Sequence, residues 1–253
     1  MLQDDRRTSR EYELNHQCLQ LMRRLDPNAA RHVYHGVIQR VLMLQAGRIF
    51  LLKEADPADR SPRGIYMASE LSLHANAYYL NLRGGLDNLA WCLHYQFSLI
   101  PGTDERDGKR MSIYLFGQKF QDALTHHLPE LVASLKKKSD WANDLSERRD
   151  PAAHRIPLQV PRTIFSEDDA RRSKEIDAQV AELVRSGKHS EGMELSNSTS
   201  SLGTFEALLV QATPEGPVYV ALHPQVGRDH DHFLDVAEAV VTHLSRAVPD
   251  KDV

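Results

Sequence analysis

Arg149 and His154 stand five residues apart in Glu147-Arg148-Arg149-Asp150-Pro151-Ala152-Ala153-His154-Arg155, a stretch that pairs a phosphate-binding cation with a group that titrates near neutrality. A guanidinium clamps a phosphate through two parallel hydrogen bonds and an imidazole moves a proton, so the two together could cleave a phosphodiester without a metal. Arg148 and Arg155 flank them as candidate substrate contacts. Arg10 and His16 repeat the spacing of Arg148 and His154, so spacing alone selects nothing, and position in the fold must decide.

The elements that would position the pair read as helices. Asp26-Pro27 is an N-cap followed by proline at the first helical position, and it opens a segment to about Glu54 with Tyr34, Ile38, Val41, Leu42, Ile49 and Leu52 near one face. A looser helix, Glu11 to Arg24, precedes it. After the loop Asp56 to Gly64, Leu71, Ala75, Tyr78, Leu82, Leu86, Leu89, Leu93 and Phe97 recur at three and four residues, the stripe of a helix packed in a bundle. Gly84-Gly85 interrupts it, which predicts a bend or a close helix contact. Pro129 starts a further stripe, Leu131, Leu135, Ala142 and Leu145; four residues more lands on Arg149, which would then point along a packing seam and need an anionic partner there. A substrate phosphate would serve, or Asp87 from the long helix, where Arg83, Asp87, Trp91 and His94 share one face. Arg83-Asp87 reads first as an intrahelical ion pair; Arg83 and His94 are otherwise additional RNA contacts. A second geometry makes Pro151 the first residue of a short helix. It turns Asp150 into the N-cap, leaves Arg149 just outside, and sets His154 where free N–H groups attract phosphate and keep the imidazole neutral. Pro157 limits that helix to one or two turns.

Beyond Pro157 the texture changes. Pro157 and Pro161 enclose an extended piece, Ser166 to Gly187 is a highly charged exposed helix, and His189 to Ser201, rich in Ser, Gly and Asn, reads as a flexible loop. Thr204 to Ala212 and Val218 to Leu222 flank Thr213-Pro214-Glu215-Gly216-Pro217 as a hairpin. A final helix runs from about Asp231 to Arg246. The expected fold is mainly α: a helical bundle of four to five long helices with a small C-terminal β-hairpin and a closing helix. The expected segments are 1–160, the bundle carrying the motif; 161–201, charged helix and loop; and 202–253, hairpin and C-terminal helix packing on the bundle.

Composition excludes several classes. The 253 residues are 41% apolar, enough for a sizeable core, with no run of eighteen apolar residues and no apolar signal core, which predicts a cytoplasmic protein without membrane contact. Cys18 and Cys92 read as free, buried thiols of a reducing compartment. The net charge of −4 gives no global attraction for nucleic acid; from Lys136 to Arg162, however, seven cations face four anions, a mild local bias that a solvated helix face would equally produce. Gly108-Lys109-Arg110 lacks the glycine spacing and the Ser or Thr of a nucleoside-triphosphate loop. His223, His230 and Asp231 invite a metal reading, but alternating polar residues before a helix usually cap and solvate it, so no metal or cofactor is expected. His126 and His127 read as surface residues.

Arg149, Asp150 and His154 resemble the motif of the HEPN superfamily, helical bundles with an arginine, a polar residue and a histidine a few positions later near a late helix junction. The resemblance covers the helical part, roughly Glu11 to Arg155. In addition, Leu82-Arg83-Gly84-Gly85-Leu86-Asp87-Asn88-Leu89-Ala90-Trp91 and His154-Arg155-Ile156-Pro157-Leu158 are similar to stretches in uncharacterised bacterial proteins. The superfamily likeness implies a metal-independent endoribonuclease or RNA-binding toxin or defence component, acting as a homodimer with two motifs facing each other. His154 would deprotonate a ribose 2′-hydroxyl and Arg149 would stabilise the phosphorane, leaving a cyclic phosphate. Its expected partners are RNA, a second copy, and a partner protein or antitoxin. The rival expectation is a non-catalytic helical module that assembles with a partner, with Arg149 and His154 tying two helices together.

Overall fold

Asp26 accepts a hydrogen bond from the Asn28 amide at 2.8 Å and Pro27 takes the first helical position, so the chain enters a helical segment where the sequence places one. The computed structural model describes residues 2–106, 112–154 and 156–249, with the side chains of 2–5 and 151–154 outside the description. Helix α1 spans Leu2–Leu21, α2 Pro27–Arg31, and a π-helical turn, His32–Ile38, leads into α3, Gln39–Glu54. The long α4 is Ile65–Phe97; α5, Gln118–Thr125, and α6, Pro129–Lys136, precede α7, Ser139–His154. Then come α8, Glu167–Arg185, α9, His189–Ser198, strands β1, Leu208–Thr213, and β2, Gly216–Ala221, and the closing α10, Leu222–Ala247. The described residues are mainly helical with one small antiparallel hairpin. No helix among the described residues is long and apolar enough to cross a membrane.

The chain divides into two compact units. Unit 1 comprises Met1–Ile49, Asn76–Arg155 and Pro224–Val253, so the C-terminal helix belongs with the bundle; unit 2 comprises Phe50–Ala75 and Ile156–His223. Unit 1 holds the motif. Its core contains Leu14, Val37, Tyr78, Leu86, Leu145 and Phe233, all fully buried. The Gly84-Gly85 pair permits close contact here. A β-carbon at Gly84 would fall 2.3 Å from the Arg40 guanidinium carbon, and one at Gly85 would fall 2.6 Å from the Phe233 ring.

The second segment buries Ile38 and Val41 of the expected face but not the rest of it. Tyr34, Leu42 and Ile49 are 42%, 46% and 45% exposed, and the interior positions are Ala29, Val33, Val37, Val41, Leu44 and Leu51. They run at four-residue intervals through the wide π-helical turn and return to helical spacing after Val41. A π turn takes more residues than an α turn, so it rotates the following helix by about one residue, a shift that a fixed 3.6-residue period misses.

In unit 2 the Gln159 and Val210 amides exchange hydrogen bonds with each other's carbonyls at 3.0 and 2.7 Å, which pairs the proline-bounded piece with β1. The hairpin runs from Leu208 opposite Ala221 to Thr213 opposite Gly216, turning at Pro214-Glu215. His189–Ser201 is not a loop: α9 packs on α8 and a 3-10 turn follows. Lys188 and Gly187 donate to the Leu183 and Val184 carbonyls to end α8, and the hydroxyls of Ser198, Thr199, Ser200 and Ser201 each bond the carbonyl three residues back. Serine-rich composition is satisfied locally there without opening the helix.

Candidate functional site

Helix α7 runs unbroken through Asp150 and Pro151 to His154. Asp150 is therefore not an N-cap and Pro151 does not start a new helix. A proline at this position lacks the N–H that would bond back to the Glu147 carbonyl and its ring disfavours the helical geometry there, costs that α7 carries in its last turn. The side chain of His154, and Arg155 altogether, lie outside the described residues. Between Arg149 and His154, five residues of helix are 1.4 turns, which sets their Cα positions about 140° apart around the axis.

Arg149 stands beside α4. Its Nη1 donates to Asp150 Oδ1 at 3.0 Å, its Nε is buried without a hydrogen-bond partner among the described residues, and its side chain is 29% exposed. Across the seam Arg83 Nε donates to Asp87 Oδ1 at 3.1 Å and Arg83 Nη1 to Ser146 Oγ at 3.1 Å, while the guanidinium lies 4.0 Å from the centre of the Tyr114 ring. Burial raises the Asp87 carboxyl above the usual carboxylate range, and the charges of Arg83, Arg149 and Arg40 pull it back. One half-buried carboxylate thus sits among three guanidinium groups, and the cluster keeps an excess of positive charge. Removing that carboxylate by Asp87→Ala leaves the three arginines to repel one another. The expected cost is about 1–2 kcal/mol, a fall of about 2–8 °C in melting temperature; an unchanged transition by circular dichroism would show that Asp87 does not hold the seam.

Arg148, one residue away, faces a buried polar centre. Its Nη2 donates to Asp229 Oδ1 at 3.2 Å, and the same carboxylate accepts from Trp141 Nε1 at 3.1 Å, Tyr79 Oη at 2.9 Å and Gln225 Nε2 at 2.9 Å. Asp229 is 1% exposed. This centre joins α4, α7 and α10, and it leaves Arg148 engaged by protein. A second buried centre lies between α1, α3, α4 and α10. There Arg48 Nη2 donates to both Glu11 oxygens at 3.2 Å, His230 Nε2 lies 2.7 Å from Glu11 Oε1, and His230 Nδ1 lies 3.0 Å from Tyr78 Oη. Sequence reading missed both because their members come from distant elements. Their only signal is polar residues at the core-facing period of α10, Gln225 and Asp229 four apart.

His223 Nε2 donates to the Ala55 carbonyl at 2.9 Å, His230 belongs to the Glu11 centre, and Asp231 pairs with Arg7 at 2.7 Å. No group of three or more metal-binding side chains occurs among the described residues. His230 and Asp231 do not precede the final helix; α10 starts nine residues before Asp231, with Pro224 in its first turn. His94 is also occupied, its Nε2 donating to the Thr103 carbonyl at 3.1 Å and closing the loop after α4. His126 and His127 are exposed, and Gly108-Lys109-Arg110 falls outside the described residues. Cys18 and Cys92 are buried and free, and burial pushes the Cys18 thiol up to about 12, which leaves it unreactive. Comparison with protein-family models, with curated proteins and with solved structures gave no match.

Proposed function

We propose that this chain is a HEPN-like RNA-directed protein, a metal-independent endoribonuclease of a bacterial defence, toxin or stress system in which Arg149 and His154 act on the RNA backbone. The observation that carries the reading is Arg149 itself: a partly exposed guanidinium with a buried, unbonded Nε, set beside Arg83 and Asp87 on a seam of excess positive charge. Such a group offers donors to a phosphate oxygen. In the proposed step His154 takes the proton from a ribose 2′-hydroxyl and the 2′ oxygen bonds to phosphorus. The bond to the 5′ oxygen then breaks, that oxygen takes up a proton, and a 2′,3′-cyclic phosphate and a 5′-hydroxyl remain. Arg149 carries the added charge of the phosphorane, Arg155 and Arg83 hold flanking phosphates, and a second copy brings its own motif opposite the first.

A second reading is favoured by the engagement of Arg148 with Asp229 and of Arg149 with Asp150: a non-catalytic helical module for dimerisation or partner binding. The two readings separate in one assay. Purified protein incubated in chelator with structured and unstructured RNA should cut it, and His154→Ala should lower the rate at least about 100-fold while the melting temperature stays unchanged. Equal activity in the variant would end the catalytic reading, and wild-type protein inert on every RNA would favour the module.

A further inference from the structure

Arg40 lends only its charge to the seam around Asp87, yet the fold builds a seat for it. It lies between α3 and α4, and its Nη1 donates to Asn81 Oδ1 at 2.9 Å. Its guanidinium rests over Gly84, where a β-carbon would fall 2.3 Å from it, so the absent side chain gives the guanidinium its place. One turn on, Asn88 Oδ1 would fall 2.1 Å from a β-carbon at Gly36, and Asn88 Nδ2 donates to the Gly84 carbonyl at 2.6 Å. Two glycines, one on the π-helical turn and one on α4, thus bring the two helices together around Arg40 and Asn88. Among the described residues Arg40 has no carboxylate in ion-pair contact; burial lowers its proton affinity, and the charge of Asp87 offsets this only in part. A partly dehydrated guanidinium served by one amide oxygen is costly for a fold to keep unless an anion visits it.

Arg40 opens onto a cleft of about 430 Å3, which Arg31, His35, Gln39, Asn88 and Glu105 also line. That volume suits a mononucleotide-sized ligand. Glu105 occupies the far side, where it pairs with Arg31, lies 3.1 Å from His32 Nε2 and accepts from Tyr95 Oη at 3.4 Å. The carboxylate holds Arg31 in place, where an incoming anion can share it. His32 in turn stacks on Trp91 and Tyr95 and bonds Asn88 Oδ1 at 3.0 Å, which fixes the cleft wall. A π-helical turn in this position widens the backbone where Gly36 must approach Asn88, the kind of placement such turns have at binding sites.

We propose that the cleft between the π-helical turn and α4 is a phosphate-binding site, with Arg40 as principal ligand and Arg31 and His35 flanking it. An arginine fork, a second arginine and an imidazole N–H match the charge and the oxygen geometry of a phosphate group. The inference does not depend on RNA cleavage, because Arg40 binds through charge and hydrogen bonds and moves no proton. The probes are inorganic phosphate, adenosine 5′-monophosphate and adenosine, titrated into the full chain by calorimetry at low ionic strength. Inorganic phosphate and the nucleotide should bind and adenosine should not. Arg40→Gln should weaken binding at least about tenfold with an unchanged melting temperature, and Arg40→Lys should recover part of it. Glu105→Gln, which removes the competing carboxylate, should tighten binding about threefold or more, so a second variant reads the site in the opposite direction should Arg40→Gln fold poorly. Nucleotide binding well above that of phosphate assigns the site to a free nucleotide, and tighter binding of a 5′-phosphorylated RNA oligomer assigns it to an RNA end. Absence of binding by every phosphate-bearing probe, or equal binding in Arg40→Gln, overturns the proposal.

Discussion

Asp229→Ala should be among the most destabilising single substitutions in the bundle, at about 3–5 kcal/mol. Both carboxylate oxygens are in use, Oδ1 by Trp141 and Arg148 and Oδ2 by Tyr79 and Gln225, and all four donors come from buried or nearly buried side chains. Truncation strands them together in a low-dielectric interior: a phenol, an indole N–H, an amide and one full positive charge. Asp229→Asn separates shape from chemistry. It keeps the volume, but its NH2 must face a pair of donors, so the loss should stay above about 2 kcal/mol. The measurement is thermal unfolding followed by Trp141 emission, which should shift in the folded state once its N–H bond is gone. A melting temperature within a degree of wild type for both variants would show that this carboxylate does not hold α4, α7 and α10 together.

The bundle was legible in the sequence wherever one period governs a helix. Leu71, Tyr78, Leu82, Leu86, Leu89 and Leu93 are buried as their spacing predicts, and Asp26 caps its helix. Legibility failed where backbone or polarity departs from that period. The π-helical turn at His32–Ile38 shifts the phase of α3 and leaves Leu42 and Ile49 outward. Asp229 and His230 make the start of α10 look like a solvated cap, yet both are at most 1% exposed, because a polar core is invisible until its partners on other helices are known. Asp150-Pro151 looked like a fresh start because proline favours a first turn, and α7 instead carries it near its C-terminal end.

The candidate site was legible in part for the same reason. Arg149 at the end of the Leu131-Leu145 stripe does lie on the α4 seam, within electrostatic reach of Asp87, as an extended helix requires. Arg148 has the same residue type and nearly the same position, and a helix turns about 100° per residue, so it meets Asp229 instead. Neighbouring arginines thus have separate roles, which composition cannot distinguish. Arg40 carried no signal of its own; the signal was Gly84, whose missing side chain leaves room for another group to come close.

Glu11→Gln should cost about 3–5 kcal/mol at neutral pH, because it takes the negative charge from between Arg48, which is fully buried, and His230. The acid limb of stability tests the same centre by another route. Burial lowers the affinity of His230 for a proton below its ordinary value of 6.5, against the pull of Glu11 on α1 and Asp231 on its own helix and with the push of Arg48 on α3; Tyr78 on α4 faces the other ring nitrogen. The unfolded chain therefore binds the proton more readily than the folded one. The stability from this group is fully present above pH 6.5 and is lost as pH falls below it. His94, His223 and His232 shift in the same direction, so their losses add in a range where ordinary carboxylates are still ionised. The melting temperature should fall by about 5 °C or more between pH 7 and pH 5, and His230→Gln, destabilised at pH 7, should show a shallower fall over that interval. A flat wild-type profile from pH 7 to pH 5, or an undiminished slope in His230→Gln, would mean that this imidazole accepts its proton inside the fold and pairs as a cation with Glu11.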